Sequence, residues 1–368
     1  MHIPDGYLSP ITCAVLYAAS APFWWFALRR VKRLLNTKLV PLLSVFAAFS
    51  FVIMMFNIPL PGGTTGHAVG VGIAAIVLGM WGSMLAISVA LLIQALFFGD
   101  GGITAFGANC FNMAIVGSLV ASAVYRTVAN RAAITSTRRV VAAALAGYAA
   151  INAAAFCASI EFGIQPLLFQ DASGAPLYAP YPLSIAIPAM MIGHITVAGL
   201  AELITAGGVV AYLQRSDPSL LRFTAPDAPD ENELVEKGGW RSTRPLWIGL
   251  AALMILTPLG LLTAGTAWGE WSAEDFADSK TREEIAAASL NQAPPEAPPA
   301  GLERLSSVWT APIPDYAPPF LQSEQFGYIM SAIFGTGLII AFFLLCGWIA
   351  RRFSRDNREV SPTVSGNE

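Results

Sequence analysis

The sequence predicts an all-α integral membrane protein, a seven-span helical bundle plus two additional transmembrane helices, about nine in total. Three observations carry this reading. Of 368 residues, 55% are hydrophobic and only 12% charged, whereas soluble domains are about 25% charged. The apolar residues gather into stretches near the roughly 20 residues that a helix needs to cross the hydrocarbon core. The basic residues cluster in alternate connections. The net charge of −3 argues neither for nor against a nucleic-acid partner; none is expected, and lipid is the expected environment.

The expected spans are 10–28, 39–57, 68–80, 81–98, 105–125, 140–159, 184–212, 245–266 and 327–350. Residues 68–98 form one apolar run, long for one helix and short for two. Gly79 and Gly82 flank Trp81 near its middle, which suggests a tight helical hairpin, either two short crossings or a re-entrant pair. A break of that kind is tolerated at membrane depth only where protein buries it.

Orientation follows from the lysines and arginines. Arg29, Arg30, Lys32, Arg33 and Lys38 follow the first span; Arg126, Arg131, Arg138 and Arg139 follow the fifth. Arg215, Arg222, Lys237, Arg241 and Arg244 follow the seventh, and Arg351, Arg352, Arg355 and Arg358 follow the last. The positive-inside bias then puts the amino terminus outside and the carboxy terminus in the cytoplasm. Loops 58–66, 99–104, 160–183 and 267–326 become external, with Lys280, Arg282 and Arg304 as their basic residues. Ala19-Ser20-Ala21 has the form of a signal-peptide cleavage site, but residues 1–10 lack a positive leader and the basic cluster lies on the wrong side of the apolar stretch. Residues 215–243 read as a polar internal linker with Pro218, Pro226, Pro229 and an acidic run from Asp227 to Glu236. The Pro- and Ala-rich loop 267–326 suits a semi-extended spacer. Cys13, Cys110, Cys157 and Cys346 each stand alone in apolar stretches, as small core residues do.

Histidine is scarce, and its placement is informative. His2 follows the first residue, His67 ends Pro61-Gly62-Gly63-Thr64-Thr65-Gly66-His67, and His194 precedes Glu202 by about two turns of one helix face. An α-amino group, the amide nitrogen of residue 2 and the His2 Nδ1 can chelate one ion through a five-membered and a six-membered ring. His67 is the other external histidine that could fill the open corner. A planar four-nitrogen site suits Ni²⁺ or Cu²⁺, whereas Mg²⁺ and Ca²⁺ prefer oxygen and Zn²⁺ a tetrahedron. Taken alone, His2 could equally be part of a frayed terminus and His67 a residue where the chain enters a helix. The glycine-rich approach to His67 allows backbone to come close to a ligand.

Gln94, Asp100, Asn109, Asn112, Asn152, His194 and Glu202 are polar groups at or within the membrane, where burial is costly and function is the default hypothesis. Asp100, in Gly99-Asp100-Gly101-Gly102, could serve the turn or the function. Asn109 and Asn112 suit interhelical hydrogen bonds. His194 and Glu202 fit structural bonds better than a later stage of an ion path.

Met1-His2-Ile3-Pro4-Asp5-Gly6-Tyr7-Leu8-Ser9-Pro10, Gly62–Gly70, Gln94–Asn112 and Ile192–Leu213 resemble the signature segments of the CbiM/NikM family. These are the substrate-specific subunits of cobalt and nickel energy-coupling-factor (ECF) ABC transporters. The resemblance covers residues 1–213. It implies a seven-span metal-binding domain over 1–214 that holds its ion by the Met1 amine, His2 and His67. Asp100, Asn109, His194 and Glu202 would be residues of the ion path or its surroundings. Residues 215–244 would be the cytoplasmic linker and 359–368 a polar tail. Residues 245–358 resemble the CbiN/NikN-like or PDGLE-type companion, with two transmembrane helices and the external loop 267–326. The usual Pro-Asp-Gly-Leu-Glu core appears as Pro299-Ala300-Gly301-Leu302-Glu303, and Ala300 removes the acidic residue.

The resemblance further implies uptake of Ni²⁺ or Co²⁺ across a bacterial or archaeal inner membrane. A CbiQ/NikQ-like coupling subunit and CbiO/NikO-like ATPase subunits would be its partners. No phosphate-binding G-x-x-x-x-G-K-[ST] pattern occurs, so ATP hydrolysis is expected from those partners. No H-E-x-x-H occurs either, which argues against an embedded metalloprotease. No cofactor is expected. A secondary transporter or channel for a divalent transition metal is the alternative; the former would show paired broken helices in two halves, and one break is visible. Nitrogen ligands alone do not choose between nickel and cobalt.

Overall fold

The computed structural model describes residues 1–34, 39–229 and 240–359. Lys38, Lys237, residues 230–236 of the acidic run and the tail from residue 360 lie outside the described residues. Nearly every regular element is helical. In chain order they are α1 (Pro10–Leu34), α2 (Leu39–Met54), α3 (Val71–Phe98), α4 (Phe106–Ala129), α5 (Thr137–Leu168) and α6 (Leu183–Ser216). The companion part contributes α7 (Trp240–Leu256), α8 (Ser279–Ala288), α9 (Ala300–Leu305) and α10 (Glu324–Glu359). Two short antiparallel strands, β1 (Ile58–Pro59) and β2 (Thr65–Gly66), lead into the His67 segment.

Among the described residues, seven helical stretches are long and apolar enough to cross a membrane; Val40–Met54 is a shorter apolar one. The expected count of nine crossings is therefore not reached. The difference of two lies in 68–98, which is counted once as a continuous stretch, and in 39–57, which appears as the shorter Val40–Met54. The 68–98 stretch is nevertheless broken where expected. Gly79 has φ 71°, ψ 168°, far outside the helical region and open to glycine. The start and end of the stretch both pack on one part of α2: Gly70 lies against Phe49 and Ile53, and the Phe98 ring is 5.4 Å from Phe51. A straight 28-residue helix would separate those ends by about 42 Å, so the chain reverses at Gly79. The first limb, Val71–Leu78, rises only about 12 Å. It ends at Gly79 in a cavity shared with Arg30, Arg126, Arg131 and Arg139, at the basic end of the bundle, and its length is about a third to a half of the roughly 30 Å hydrocarbon core. At the reversal the Thr224 hydroxyl donates to the Ile76 carbonyl, which the break leaves without its helical partner.

Small residues let the helices of the core close up. Cβ atoms built on Gly72 or Gly147 would strike the facing helix: a Gly72 Cβ would lie 2.7 Å from the Gly147 Cα, and a Gly147 Cβ 2.9 Å from Ala206 Cβ. The stripe Ala142, Ala143, Ala146, Ala150, Ala154, Ala155 and Ala158 of α5 is fully buried. At the far end, Ser136 caps α5 by accepting from Arg138 N–H, and Arg139 turns inward. Its guanidinium donates to the Ala132 and Ala133 carbonyls and to the Tyr125 hydroxyl, closing the end of α4. Thus one residue counted for the positive bias is also a buried structural cation. The four cysteines are free, two buried and two partly buried.

The loop 267–326 departs from the expected spacer. It carries α8 and α9, and it buries Trp268, Trp271, Phe276, Ile285, Leu302 and Tyr316. Apolar side chains of this size stabilise by about 1.5–3 kcal/mol each when removed from water, and this outweighs the preference of Pro-rich chain for extension. The Pro299–Glu303 stretch docks on the core: Gly301 N–H donates to the Leu177 carbonyl at 2.7 Å, and Leu302 faces Gly6, whose φ of 89° is left-handed. A Cβ at Gly6 would stand 2.7 Å from Leu302 Cα.

Candidate metal centre

The first five residues do not fray. Met1, His2 and Ile3 are 4%, 2% and 0% exposed. Asn109 grips the backbone from both sides: its Oδ1 accepts from Ile3 N–H at 2.8 Å and its Nδ2 donates to the Ile3 carbonyl at 3.1 Å. Gly102 N–H donates to the same carbonyl at 2.8 Å. Asp5 accepts from the Ile103 and Thr104 N–H groups and the Thr104 hydroxyl. Gly101 and Gly102 permit this seat. Cβ atoms there would come within 2.9 Å of Asn109 Nδ2 and 2.3 Å of Asp5 N. Three or more hydrogen bonds on so few residues overcome the entropy that frees most termini.

This seat brings His2 beside His67, with ring centroids 5.0 Å apart and planes inclined by 32°. His67 is 7% exposed and its Nδ1 meets the Ala68 carbonyl at 3.1 Å. His2 Nδ1 lies 2.8 Å from Asp100 Oδ1, while the buried His2 Nε2 has no hydrogen-bond partner. The chain amine donates to Glu270 Oε1 at 2.9 Å. Amine and both imidazoles therefore share one buried place, as the chelate requires. Carboxylates face both nitrogens of the terminus: Glu270 the amine and Asp100 the His2 Nδ1. Among the described residues no group of three or more His, Cys, Asp or Glu side chains is suited to hold a metal; the nitrogen-rich set depends on the chain terminus.

Burial holds the His67 pKa well below the ordinary histidine value, and the neighbouring His2 and chain amine push the same way. Burial would raise Asp100, but the charge and hydrogen bond of His2, with His67 and Tyr316 assisting, hold it well below the usual carboxylate range. Asp100 Oδ2 accepts from Gln94 Nε2 at 3.1 Å and from the Tyr316 hydroxyl at 2.5 Å. Gln94 opens the π-helical turn Gln94–Phe98, and Asn109 immediately precedes another, Cys110–Val116. Such turns are rare and recur at functional sites because they re-aim side chains.

The remaining expected residues divide. Glu202, 0% exposed, accepts from the N–H groups of Val69 and Gly70 at 2.8 and 2.9 Å and of Gly72 at 3.1 Å. A carboxylate at the start of a helix is favourably placed, and this one anchors the segment that carries His67. His194 is buried and bonds the Met190 carbonyl one turn back in α6. Asn152 Nδ2 likewise bonds the Tyr148 carbonyl of its own helix. Asn112 Nδ2 donates to Glu161 at 2.8 Å, an interhelical bond of the expected kind.

Sequence reasoning missed Asp5, Glu270 and Tyr316. Asp5 sits inside the signature decapeptide and was open to discovery there. Glu270 and Tyr316 lie in a loop read as a spacer. Two consecutive non-glycine residues with positive φ, Asp315 at 53° and Tyr316 at 60°, hold the tyrosine against Asp100. Strain of this kind gathers at functional sites, but it is visible only in coordinates.

Fold and site together define a multi-pass helical membrane protein whose amino terminus is buried beside two histidines. The chain belongs to the CbiM family, described as the cobalt uptake substrate-specific transmembrane region, which matches residues 2–220; a PDGLE domain matches residues 243–352. It is 59% identical to the fused nickel transport protein NikMN of Rhodobacter capsulatus, over 93% of this chain and 95% of that one. It is 41% identical to the probable fused nickel transport protein LarMN of Lactiplantibacillus plantarum, over 94% and 97%. A crystal structure described as a transition metal transporter is 48% identical, covering 61% of this chain and 99% of its own, with a TM-score of 0.56.

Proposed function

We propose that the chain is the substrate-binding membrane subunit of an ECF-type ABC transporter that takes up Ni²⁺ or Co²⁺. The observation that supports this most directly is the burial of the chain amine with His2 and His67 in one place. The ion is bound by the amine, the His2 amide nitrogen and Nδ1, and His67 completes the plane. The relatives' names, nickel transport protein and cobalt transport protein, agree with this cargo. Filling the site exchanges Glu270 and Asp100 for the ion, and the amine and amide give up protons, so affinity falls in acid.

The basic loops orient the amino terminus and the 267–326 loop outside the cell and the carboxy terminus in the cytoplasm. ATP hydrolysis belongs to separate ATPase subunits, joined through a membrane coupling subunit. Reconstituted alone, the chain should hydrolyse no ATP; hydrolysis by the purified chain would end that assignment.

The chelate is tested by inserting one residue between Met1 and His2. The histidine survives, but a second amide now separates it from the amine, and four nitrogens of the terminus itself could exclude His67. Uptake in cells carrying the whole transporter should be lost. Uptake at the level of the unaltered chain would overturn the chelate.

A further inference from the structure

Glu270 stands apart from the other groups around the centre. It comes from the companion part, on a turn that is held firmly. Glu270 N–H donates to the Ala267 carbonyl, and Trp268 and Trp271 on either side are buried. The Tyr7 hydroxyl donates to the Trp271 carbonyl at 2.7 Å. Gly269 has φ 82°, and a Cβ there would lie 2.9 Å from the Phe162 ring. The carboxylate is therefore aimed at the chain amine by a packed turn.

It also differs in exposure. Met1, His2 and His67 are 4%, 2% and 7% exposed, whereas the Glu270 and Asp100 side chains are 21% and 19% exposed; Asp100 is already engaged by His2 Nδ1, Gln94 and Tyr316, while Glu270 faces the amine. A hydrated divalent cation reaches an oxygen that touches water before it reaches nitrogens that do not. Carboxylate oxygens accept first-row divalent ions, and nitrogen holds Ni²⁺ and Co²⁺ better. An amine nitrogen that binds the ion no longer donates to Glu270, so loading must break the 2.9 Å pair. The freed oxygen then lies next to the arriving ion.

We propose that Glu270 is the loading residue of the site: the first protein oxygen to bind the incoming divalent transition-metal ion, which it passes to the chain amine. It returns to the amine when the site empties. This inference rests on the proposed amino-terminal chelate. It gives the companion loop a specific chemical task, the delivery of the ion to nitrogens that are otherwise sealed.

The test uses the purified full chain and nickel chloride alone. The rate of loading is followed by the absorbance of bound Ni²⁺, and release by transfer to excess chelator. Glu270→Gln should slow loading by about tenfold at low ionic strength, in the range of electrostatic effects on association, with the release rate essentially unchanged. Added salt should slow loading of the unaltered chain and affect the variant much less. Glu270→Asp should slow loading by a smaller factor, and it carries the test if Glu270→Gln does not fold. Loading of both variants at the unaltered rate overturns the proposal. So does slower loading matched by faster release, which would make Glu270 a standing ligand or a brace. The chelate fails separately: if the unaltered chain binds nickel without its terminal nitrogens, Glu270 has nothing to load.

Discussion

The amino-terminal hook and the companion loop meet at one centre, yet they are built in opposite ways. The hook contributes nitrogen: the Met1 amine and His2, with His67 from the neighbouring segment. The loop contributes oxygen: Glu270 on the amine and Tyr316 on Asp100. The hook is fixed by polar bonds from Asn109 and Asp5, the loop by buried aromatic side chains. In the proposed chelate the ligands are nitrogens of the hook and His67, while the loop faces them with Glu270, whose side chain is 21% exposed.

Perturbing the hook should have the largest effect. His2→Ala removes a chelate ring and should lower nickel affinity by at least about a thousandfold, measured by equilibrium titration. This rests on the folding-linked strength of nitrogen ligation. His67→Ala leaves the three-nitrogen chelate and should cost less. Equal losses for the two would mean that the sites act as one and that the terminal chelate has no strength of its own.

The carboxylate that links the two parts comes next. Asp100 meets the same His2 Nδ1 that the proposed chelate gives to the ion, so it competes with the ion. Asp100→Asn keeps the shape and should raise nickel affinity in an equilibrium titration, and a clear loss would show that Asp100 helps to hold the ion. Tyr316→Phe removes one hydrogen bond to that carboxylate. With that donor gone Asp100 competes harder for His2 Nδ1, and a bond to a charged group contributes about 1.5–3 kcal/mol, so nickel affinity should fall roughly tenfold through the companion loop alone. An unchanged affinity in Tyr316→Phe would separate the loop from the centre and break the comparison.

The smallest effect concerns stability without metal. Folded His67 has a depressed pKa, whereas in the unfolded chain it titrates near the ordinary value of about 6.5. Below that value the unfolded chain binds a proton that the folded one refuses. Stability contributed at this position is therefore intact above about pH 6.5 and declines as pH falls toward the folded value. His67→Ala should flatten this decline in a thermal melt series. An identical slope would show that His67 titrates normally in the fold.

Much of the hook was legible because its residue types are rare: His2, His67 and a glycine-rich approach in an apolar chain. The hairpin break was also legible, since Gly79 and Gly82 interrupt an otherwise apolar run. Its placement was not, because apolar length does not reveal that the first limb is only about 12 Å long and ends among the arginines of the basic end. The loop was misread for a physical reason. Pro and Ala dominate its composition, but Trp268, Trp271, Phe276 and Tyr316, spread along it, supply its packing, and only the fold brings them together. For Glu202 the sequence left a structural bond and the ion path both open, and its hold on the His67 segment by three N–H groups required the coordinates.

The central claim is a planar ion held by nitrogen from the chain terminus and two histidines. Nickel X-ray absorption on the full chain loaded with one equivalent of Ni²⁺ tests it most directly. The account predicts a four-coordinate, all-nitrogen, square-planar ion, yellow and diamagnetic. A six-coordinate paramagnetic ion with oxygen ligands would contradict it.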